Sequence, residues 1–290
     1  MNQTNLSLRF LFEDLAVRGQ IVQLSTTLTD MLKHHQYPES AQKQLIEATL
    51  ATALLTETIK FEGKLSLQAQ SSGPLSLFLV QSTHDQKFRG VVRCEDDTPI
   101  TDDLKQLMPG AQMAITIEPS SGSRYQGIVP MHQHTLAGCL EDYFKQSEQL
   151  PTQIYLFTDG VSAGTGLLLQ AMPDADNEAD FEHVSYLAQT LKAEEALSLD
   201  METILHRLYH QDKIRVFEPQ PVTYECGCSR ERSLYSLTVM SKEELLEIIK
   251  EEGKLTTACE FCNSQYEFDV IDVEQVFANA GHDQSDSTRH

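Results

Sequence analysis

Four of the six cysteines lie in two closely spaced pairs near the carboxyl end of the chain. The first pair reads Cys226-Gly227-Cys228 and the second reads Cys259-Glu260-Phe261-Cys262, with residues 229–258 between them. This arrangement matches a four-thiolate zinc site, because each pair supplies two sulfurs from one turn and the intervening segment brings the pairs together. The sequence therefore predicts one tetrahedral Zn²⁺ bound in the reduced state by Cys226, Cys228, Cys259 and Cys262.

Four thiolate ligands leave no open coordination position, which excludes a hydrolytic zinc site. Two interpretations of the metal remain. It is structural if it only stabilises a unit of about fifty residues, to which zinc contributes roughly 10–16 kcal/mol. It is regulatory if oxidants attack the zinc-bound thiolates, neighbouring cysteines form disulfides and the metal is ejected.

Composition limits the other function classes. The chain has 290 residues, enough for one large domain and one small domain, and a net charge of -21. That charge disfavours binding to nucleic acid or to an anionic membrane. The sequence shows no apolar window that could span a membrane, and its start lacks a signal-peptide pattern. We therefore expect a cytoplasmic protein, in which paired cysteines more often indicate metal or redox chemistry than a structural disulfide.

Residues 1–173 are predicted to form one α+β domain of mostly antiparallel strands with packed helices. Alternating apolar residues indicate the strands, and apolar residues at helical spacing indicate the helices. The predicted elements are two strands within 6–24, a short helix at 27–35, a helix ending at 59, a meander over 61–94, a hairpin over 111–131, a helix at 136–146, and strands at 154–158 and 166–172.

Residues 174–220 are predicted to form a metastable helical linker. It opens with an acidic run at 174–180, and two amphipathic stretches follow, one from Phe181 to Leu191 and one from Ile204 to Tyr209. Neither stretch is long enough to be stable alone, so we expect both to be ordered only while docked on neighbouring surface.

Residues 221–277 are predicted to form the zinc domain. A strand is expected at 234–240, and a helix begins at the capping box of Ser241 and Glu244 and ends at Gly253. A further strand is expected at 266–270. The polar residues 278–290 are expected to be a disordered tail.

The chain resembles the redox-regulated 33 kDa chaperonins, the heat-shock-protein-33 family of bacteria. The resemblance rests on the two cysteine pairs and on segments spread over nearly the whole chain. These segments are FEGKLSLQ at 61–68, GPL at 73–75, DYFKQSEQLPT at 142–152 and GLLLQAMP at 166–173.

The resemblance implies an ATP-independent holdase that protects unfolding proteins under oxidative stress. It implies a reduced, zinc-bound monomer that is inactive or weakly active. Oxidation would release zinc and form the disulfides Cys226–Cys228 and Cys259–Cys262, after which the zinc domain and the linker unfold. The first domain would then bind clients and the protein would dimerise. The acidic surface would help to keep client complexes soluble.

The segment from Gly160 to Gly164 matches a hydrolase nucleophile elbow, but that elbow must open a helix, and residues 165–172 are typical of a returning strand. No constellation in the sequence supports an enzyme. The runner-up function is a zinc-ribbon interaction or nucleic-acid adaptor with purely structural zinc. The remaining thiols and closely spaced histidines are interpreted as packing or surface residues: Cys94, Cys139, His132, His134, His206 and His210.

Overall fold

The computed structural model describes residues 5–58, 62–173 and 178–286, with side chains described as far as residue 278. The chain divides into two compact units, Met1–Glu225 and Cys226–His290. Within the described ranges, no helix is both long enough and apolar enough to cross a membrane.

The first unit contains twelve described strands and seven described α-helices. In chain order the strands are β1 (Leu6–Phe12), β2 (Val17–Leu24), β3 (Gly63–Gln70), β4 (Leu75–Thr83), β5 (Lys87–Cys94), β6 (Gln112–Pro119), β7 (Tyr125–Pro130), β8 (Thr152–Thr158), β9 (Gly164–Ala171), β10 (Ile214–Val216), β11 (Gln220–Pro221) and β12 (Thr223–Tyr224). The helices are α1 (Thr26–Leu32), α2 (Glu39–Thr58), α3 (Leu104–Leu107), α4 (Leu136–Tyr143), α5 (Glu178–Ala188), α6 (Ala193–Ser198) and α7 (Met201–Tyr209), and a π-helix, Phe144–Glu148, continues α4.

These strands form two sheets. The first has the order β10-β1-β2-β9-β8, with β11 also paired to β1, and its pairings are antiparallel. The second has the order β12-β5-β4-β3-β6-β7 and is antiparallel except for the β12–β5 pair. The predicted meander over 61–94, the predicted hairpin over 111–131 and the predicted returning strand at 166–172 are confirmed, and so is the mixed α+β class.

Helix α2 packs within the main core of the first unit. Its apolar side chains, including Leu50 and Leu54, are fully buried in one cluster with side chains from both sheets. Two glycines let the helix lie close to β9: a Cβ added at Gly164 would sit 2.7 Å from Leu50 Cδ1, and one at Gly166 would sit 3.0 Å from Leu54 Cδ1. Close packing of this kind makes α2 a permanent part of the core.

A second core lies on the other face of the first sheet, beneath α5, α6 and α7. Phe12 and Tyr209 meet edge to face there with ring centroids 4.9 Å apart, and Tyr209 is 1 % exposed. The side chain of Gln23 also donates to the carbonyl of Leu199, at 2.7 Å. The helices at 178–209 therefore belong to the first unit and cover an apolar sheet face, as expected of docked amphipathic helices. Residues 174–177 of the predicted linker lie outside the described residues.

The second unit is small. It contains α8 (Arg230–Ser236), a 3₁₀-helix at Leu237–Val239, α9 (Lys242–Glu252), the hairpin β13 (Leu255–Ala258) and β14 (Gln265–Phe268), and α10 (Val270–Asp286). Its described hydrophobic core consists of five buried side chains, namely Leu245, Ile249, Leu255, Phe268 and Val273. The predicted capping box of Ser241 and Glu244 and the left-handed cap at Gly253 (φ 83°) are both confirmed.

Three predictions for this unit are corrected. The strand expected at 234–240 is helical, because Ser229 caps α8 through the backbone N–H of Arg232 and starts a helix that sequence periodicity missed. The strand expected at 266–270 ends at Phe268. The tail expected from 278 is α10 as far as Asp286, a helix that is anchored in the core through Val273, and residues 287–290 lie outside the described residues.

The covering helices of the first unit can be loosened without disturbing its main core. Leu205 of α7 is 1 % exposed against the first sheet, so Leu205→Ala should cost about 2–5 kcal/mol of local stability. Hydrogen exchange should show lost amide protection in α5 and α7 while α2 keeps its protection. The matched control is Glu202→Ala on the exposed side of α7, and equal effects from both variants would contradict this packing.

A carboxylate in α2 should make the first unit less stable at high pH. Burial raises the pKa of Glu47 to about 7, against the pull of Lys43 and with added repulsion from Asp102. The folded-state pKa of Glu47 lies above its unfolded value. The stability that protonated Glu47 contributes is therefore present at low pH and is lost as the pH rises through about 7, by at most about 3 kcal/mol. In urea titrations at pH 5.5 and pH 8, Glu47→Gln should flatten this dependence and Glu39→Gln should not.

Candidate metal centre

The first cysteine pair stands in the turn that opens the second unit. Gly227, between the two cysteines, has φ +64°, a left-handed conformation that glycine adopts without a steric penalty. Its carbonyl accepts a hydrogen bond from the guanidinium of Arg232, one turn into α8. The start of α8 therefore holds the backbone of this pair, so that Cys226 and Cys228 are presented from one turn.

The second pair occupies the turn of the β13–β14 hairpin. The backbone N–H of Cys259 donates to the carbonyl of Ser264 at 2.9 Å, and the N–H of Asn263 donates back to the carbonyl of Cys259 at 2.8 Å. Asn263 takes the left-handed conformation that closes the turn, with φ 54°, which asparagine tolerates better than most residues. Both pairs thus come from short turns that are fixed by backbone hydrogen bonds.

The four sulfurs converge on one point. The Sγ atoms of Cys226 and Cys259 lie 3.5 Å apart, those of Cys228 and Cys262 lie 3.4 Å apart, and all four lie within 4.8 Å of one another. Sulfurs arranged tetrahedrally around zinc at about 2.3 Å would be separated by about 3.8 Å. All four cysteines are free thiols. The spacing is therefore that of a ligand cage and not of a disulfide, whose sulfurs lie about 2 Å apart.

Two hydroxyl groups contact this cage. The hydroxyl of Tyr266 donates to the Cys228 sulfur at 3.1 Å, and this hydrogen bond raises the pKa of Tyr266 to about 12, so the tyrosine stays a donor. The hydroxyl of Ser264 lies 3.2 Å from the Cys262 sulfur. Hydrogen bonds to metal-bound thiolates orient the ligands and stabilise their charge, so Tyr266 and Ser264 are the outer supports of the cluster.

The thiols of the cluster differ in acidity. Burial raises the pKa of Cys226 and Cys259. Burial also opposes ionisation of Cys262, but hydrogen bonds with the side chain and backbone of Ser264 and with the sulfurs of Cys226 and Cys228 together outweigh it and lower the pKa of Cys262 to about 7. The cluster therefore contains a thiol that ionises near neutral pH, the form required of a metal ligand.

The donor set decides which ions fit. Four soft thiolates in a tetrahedral cage suit Zn²⁺ or an iron–sulfur centre, and they do not suit Mg²⁺ or Ca²⁺, which take oxygen ligands. Among the described residues, the four cysteines are the one group of three or more metal-type side chains close enough to share an ion. The residues therefore fit the metal that the sequence predicts at this place.

A polar clamp joins the first turn of α8 to the end of the hairpin. Arg230 lies over the ring of Phe268 with 4.9 Å to the centroid, pairs with Asp272 at 2.6 Å and donates to the carbonyl of Glu267 at 3.0 Å. The guanidinium of Arg230 faces solvent, which screens the ion pair and keeps its contribution small. With five buried apolar side chains, the unit has little other than the cysteine cluster to bring its two ends together.

The other sequence candidates lie away from the cluster. Cys94 ends β5 and Cys139 is buried in α4, and burial raises the pKa of both thiols. The segment 159–163 is the β8–β9 hairpin turn, so the interpretation of Gly160–Gly164 as a hairpin and not a nucleophile elbow is confirmed. The two histidine pairs are surface residues. His206 is exposed on α7 and His210 is exposed directly after it. His132 and His134 are exposed in one loop, and the ring of His134 contacts Asp103.

Tyr266 and Ser264 were missed by the sequence analysis as supports of the cluster. Tyr266 was assigned to a strand on the basis of alternation alone, and alternation does not show that its hydroxyl reaches a sulfur. Ser264 follows Cys262 by two residues, a spacing at which a hydroxyl can reach back to a ligand in a tight turn. This spacing is the one signal in the sequence that points to Ser264 as a support of the cluster.

The fold and the cluster together define a mixed α+β protein whose carboxyl-terminal unit is built around four cysteines. Residues 5–269 match the protein-family model described as "Hsp33 protein". The chain belongs to the Hsp33 family, which is a family of chaperones and not of enzymes, and whose members bind client proteins. The resemblance drawn from the sequence motifs is confirmed.

Curated relatives named "33 kDa chaperonin" cover nearly the whole chain. The relative from Shewanella woodyi is 47% identical over 280 residues, covering 96% of this chain and 97% of its own. The one from Salmonella typhi is 44% identical over 276 residues, covering 94% of each. The crystal structure of the 33 kDa chaperonin from Thermotoga maritima aligns with TM-score 0.77 and 22% identity, over 96% of this chain and 99% of that one, which supports the fold.

The Tyr266 hydroxyl can be tested as a support of the metal site. Tyr266→Phe keeps the ring and removes the hydrogen bond to Cys228, and losing such an outer support typically weakens metal binding about 10- to 100-fold. Zinc affinity, measured by competition with a chromogenic chelator, should fall about tenfold or more. Tyr235→Phe, on the exposed ring in α8, is the matched control. Unchanged affinity in Tyr266→Phe would remove the hydroxyl from the metal site.

Proposed function

We propose that this protein is an ATP-independent holdase that is switched on by oxidation of a zinc-bound cysteine cluster. Family membership supports the chaperone activity. The observation that carries the switch is the convergence of four free thiols within 4.8 Å in a unit with a small core. Cys226, Cys228, Cys259 and Cys262 are the proposed ligands of one Zn²⁺ and also the oxidised residues.

The proposed reaction uses a two-electron oxidant such as hypochlorous acid. The four cysteine thiolates would react with two hypochlorous acid molecules to give two disulfides, two chloride ions and two hydroxide ions, and they would then no longer hold the Zn²⁺. Each disulfide takes two electrons from two thiolates, and each oxidant accepts two, so charge and atoms balance. The thiolate form required for attack on the oxidant is the form that zinc maintains.

The proposed disulfides are Cys226–Cys228 and Cys259–Cys262. In the reduced cluster, however, the shortest sulfur distances join the two pairs, at 3.4 and 3.5 Å. All four ligands of a tetrahedral ion are neighbours, so proximity alone does not choose a pairing. Once the unit opens, the cysteines nearest in sequence remain within reach of each other, because closing a short loop costs the least entropy. That argument and the family resemblance support the pairing within each motif.

Loss of zinc would remove the cross-link on which the second unit depends. The chain that leads to Cys226 is tied to the first unit by the parallel β12–β5 pair and by the Lys87–Glu225 ion pair, 3.2 Å between Nζ and Oε2. Just before these contacts, β10 and β11 pair with β1. We propose that opening spreads backward along these short strands and releases the linker helices over residues 174–220.

Release of the helices would expose the sheet face that they cover. That face carries Phe10, Phe12, Ile21 and Leu169, all 2 % exposed or less. A large exposed apolar patch binds other exposed apolar surface, which is what a partly unfolded client presents. We propose that the reduced protein is a monomer, that the oxidised protein dimerises through the first unit, that it acts in the cytoplasm, and that it takes neither nucleic acid nor membrane as a partner.

The switch is tested by light scattering from a heat-unfolding client protein without ATP. Reduced, zinc-loaded protein should protect weakly, and oxidised protein should protect strongly while a chromogenic chelator records about one zinc released per chain. Reductant with zinc should reverse both effects. Cys94→Ser, outside the cluster, should switch normally, whereas Cys228→Ser should bind zinc weakly and lose the oxidant dependence.

The competing hypothesis is an interaction adaptor with purely structural zinc. It predicts that oxidation releases zinc and unfolds the second unit without any protection of the client, reduced or oxidised. That result would overturn the redox switch while leaving the metal assignment intact. Protection that is equally strong before and after oxidation would instead describe a constitutive chaperone.

A further inference from the structure

A cavity of about 270 Å³ opens in the first unit. All of its lining residues lie between positions 18 and 170, far along the chain from the cysteine cluster. Its apolar walls come from the end of α2 at Leu55, from β6 at Ile115 and Ile117, and from Leu150. Its polar groups come from β2, β9 and the segment that includes the π-helix. None of these residues has a part in the metal centre or in the covering helices.

Arg18 places a positive charge in this cavity, and the one carboxylate among the lining residues, Glu148, forms no ion pair with it. Its Nε and Nη2 both donate to Oε1 of Gln170, a neutral acceptor. Among the described residues, no acidic group forms an ion pair with Arg18, although the chain has 43 acidic residues against 22 Lys and Arg. The arginines Arg9, Arg207, Arg215 and Arg230 do each pair with a carboxylate. Burial lowers the pKa of Arg18, so its charge is partly desolvated.

Another part of the cavity lining is built by an uncommon piece of backbone. The π-helix Phe144–Glu148 brings Glu148 back to Tyr143, whose hydroxyl donates to the Glu148 carboxylate at 3.0 Å and lies 3.0 Å from the hydroxyl of Tyr125. Gln149 then ends the turn with φ 55°, a conformation that costs energy for a residue other than glycine. Single π-helical turns are rare and are found frequently at functional sites.

We infer that this cavity is a binding site for a small organic anion with an apolar body, whose carboxylate pairs with Arg18. A planar guanidinium matches a carboxylate in two-point geometry, and the partly buried position strengthens the pair. The size limits the ligand. A cavity of about 150 Å³ holds a benzene ring, so 270 Å³ accommodates a ring with a short carboxylate arm. The apolar walls would contact the ring.

The first test compares two probes that differ only in charge at one end. Phenylacetate carries the ring and the carboxylate, and phenylacetamide replaces the carboxylate with a neutral amide of the same shape. In amide chemical-shift titrations of the full, reduced, zinc-loaded chain, phenylacetate should bind saturably with a millimolar Kd. Phenylacetamide should bind at least about tenfold more weakly than phenylacetate. Shifts should centre on residues 115–117, 149–150 and 170.

Two substitutions on different walls provide the second test. Arg18→Gln should weaken phenylacetate binding about tenfold or more, to the level of the amide. Glu148→Gln removes a negative charge from the cavity lining and should strengthen phenylacetate binding about twofold. The matched control is Arg89→Gln, because Arg89 makes the same two-pronged contact to Gln81 Oε1 but does not line the cavity. This control should bind phenylacetate as the wild type does.

Several results would overturn the inference. These are no saturable binding of phenylacetate to the wild-type chain up to 20 mM, equal affinities for both probes, or equal losses in Arg18→Gln and Arg89→Gln. If Arg18→Gln fails to fold, the probe pair and Glu148→Gln still decide the matter on folded protein. Because the assay uses the reduced form and no client, its outcome is independent of the proposed redox switch.

Discussion

The second unit depends on one constraint, the meeting of four sulfurs from two distant turns. Its described core holds five buried apolar side chains, which is too few to order a unit of this size with much margin. The hairpin turn and the turn before α8 are each well formed locally, and the cluster is what joins them. A metal bound there would contribute folding free energy directly, so any chemistry that removes it acts on the fold as well as on the site.

The first unit, in contrast, has two large hydrophobic cores, one on each face of its first sheet. Its main core is closed by α2, a 20-residue helix that packs closely on the first sheet at Gly164 and Gly166 and on the second sheet at Gly90. The outer face of the first sheet is covered instead by α5, α6 and α7, whose lengths are 11, 6 and 9 residues. Helices this short owe their order to docking, and local opening draws on the least secured elements. One sheet thus has one face buried against a long core helix and one face covered by three short helices.

The charge distribution suits these roles. A net charge of -21 keeps the surface solvated and limits association between copies, which matters for any protein whose function exposes apolar surface. Within that acidic background five described arginines pair with carboxylates, whereas the guanidinium of Arg18 is held by a neutral glutamine. The anion site inferred around it uses a guanidinium that lines a cavity and forms no ion pair with a described acidic side chain.

The sequence by itself determined the features that depend on spacing along the chain. The cysteine pairs, the capping box at Ser241, the meander and the β8–β9 hairpin follow from local chemistry and period. Family membership followed from motifs spread along the chain. Tertiary structure decided what local pattern does not carry. Residues 234–240 became helical because Ser229 caps α8, and α10 extends past 278 from its anchor at Val273. The Tyr266–Cys228 contact joins residues that are 38 positions apart. The cavity brings Arg18 together with residues as far along the chain as Gln170. Periodicity along the chain cannot relate positions so far apart.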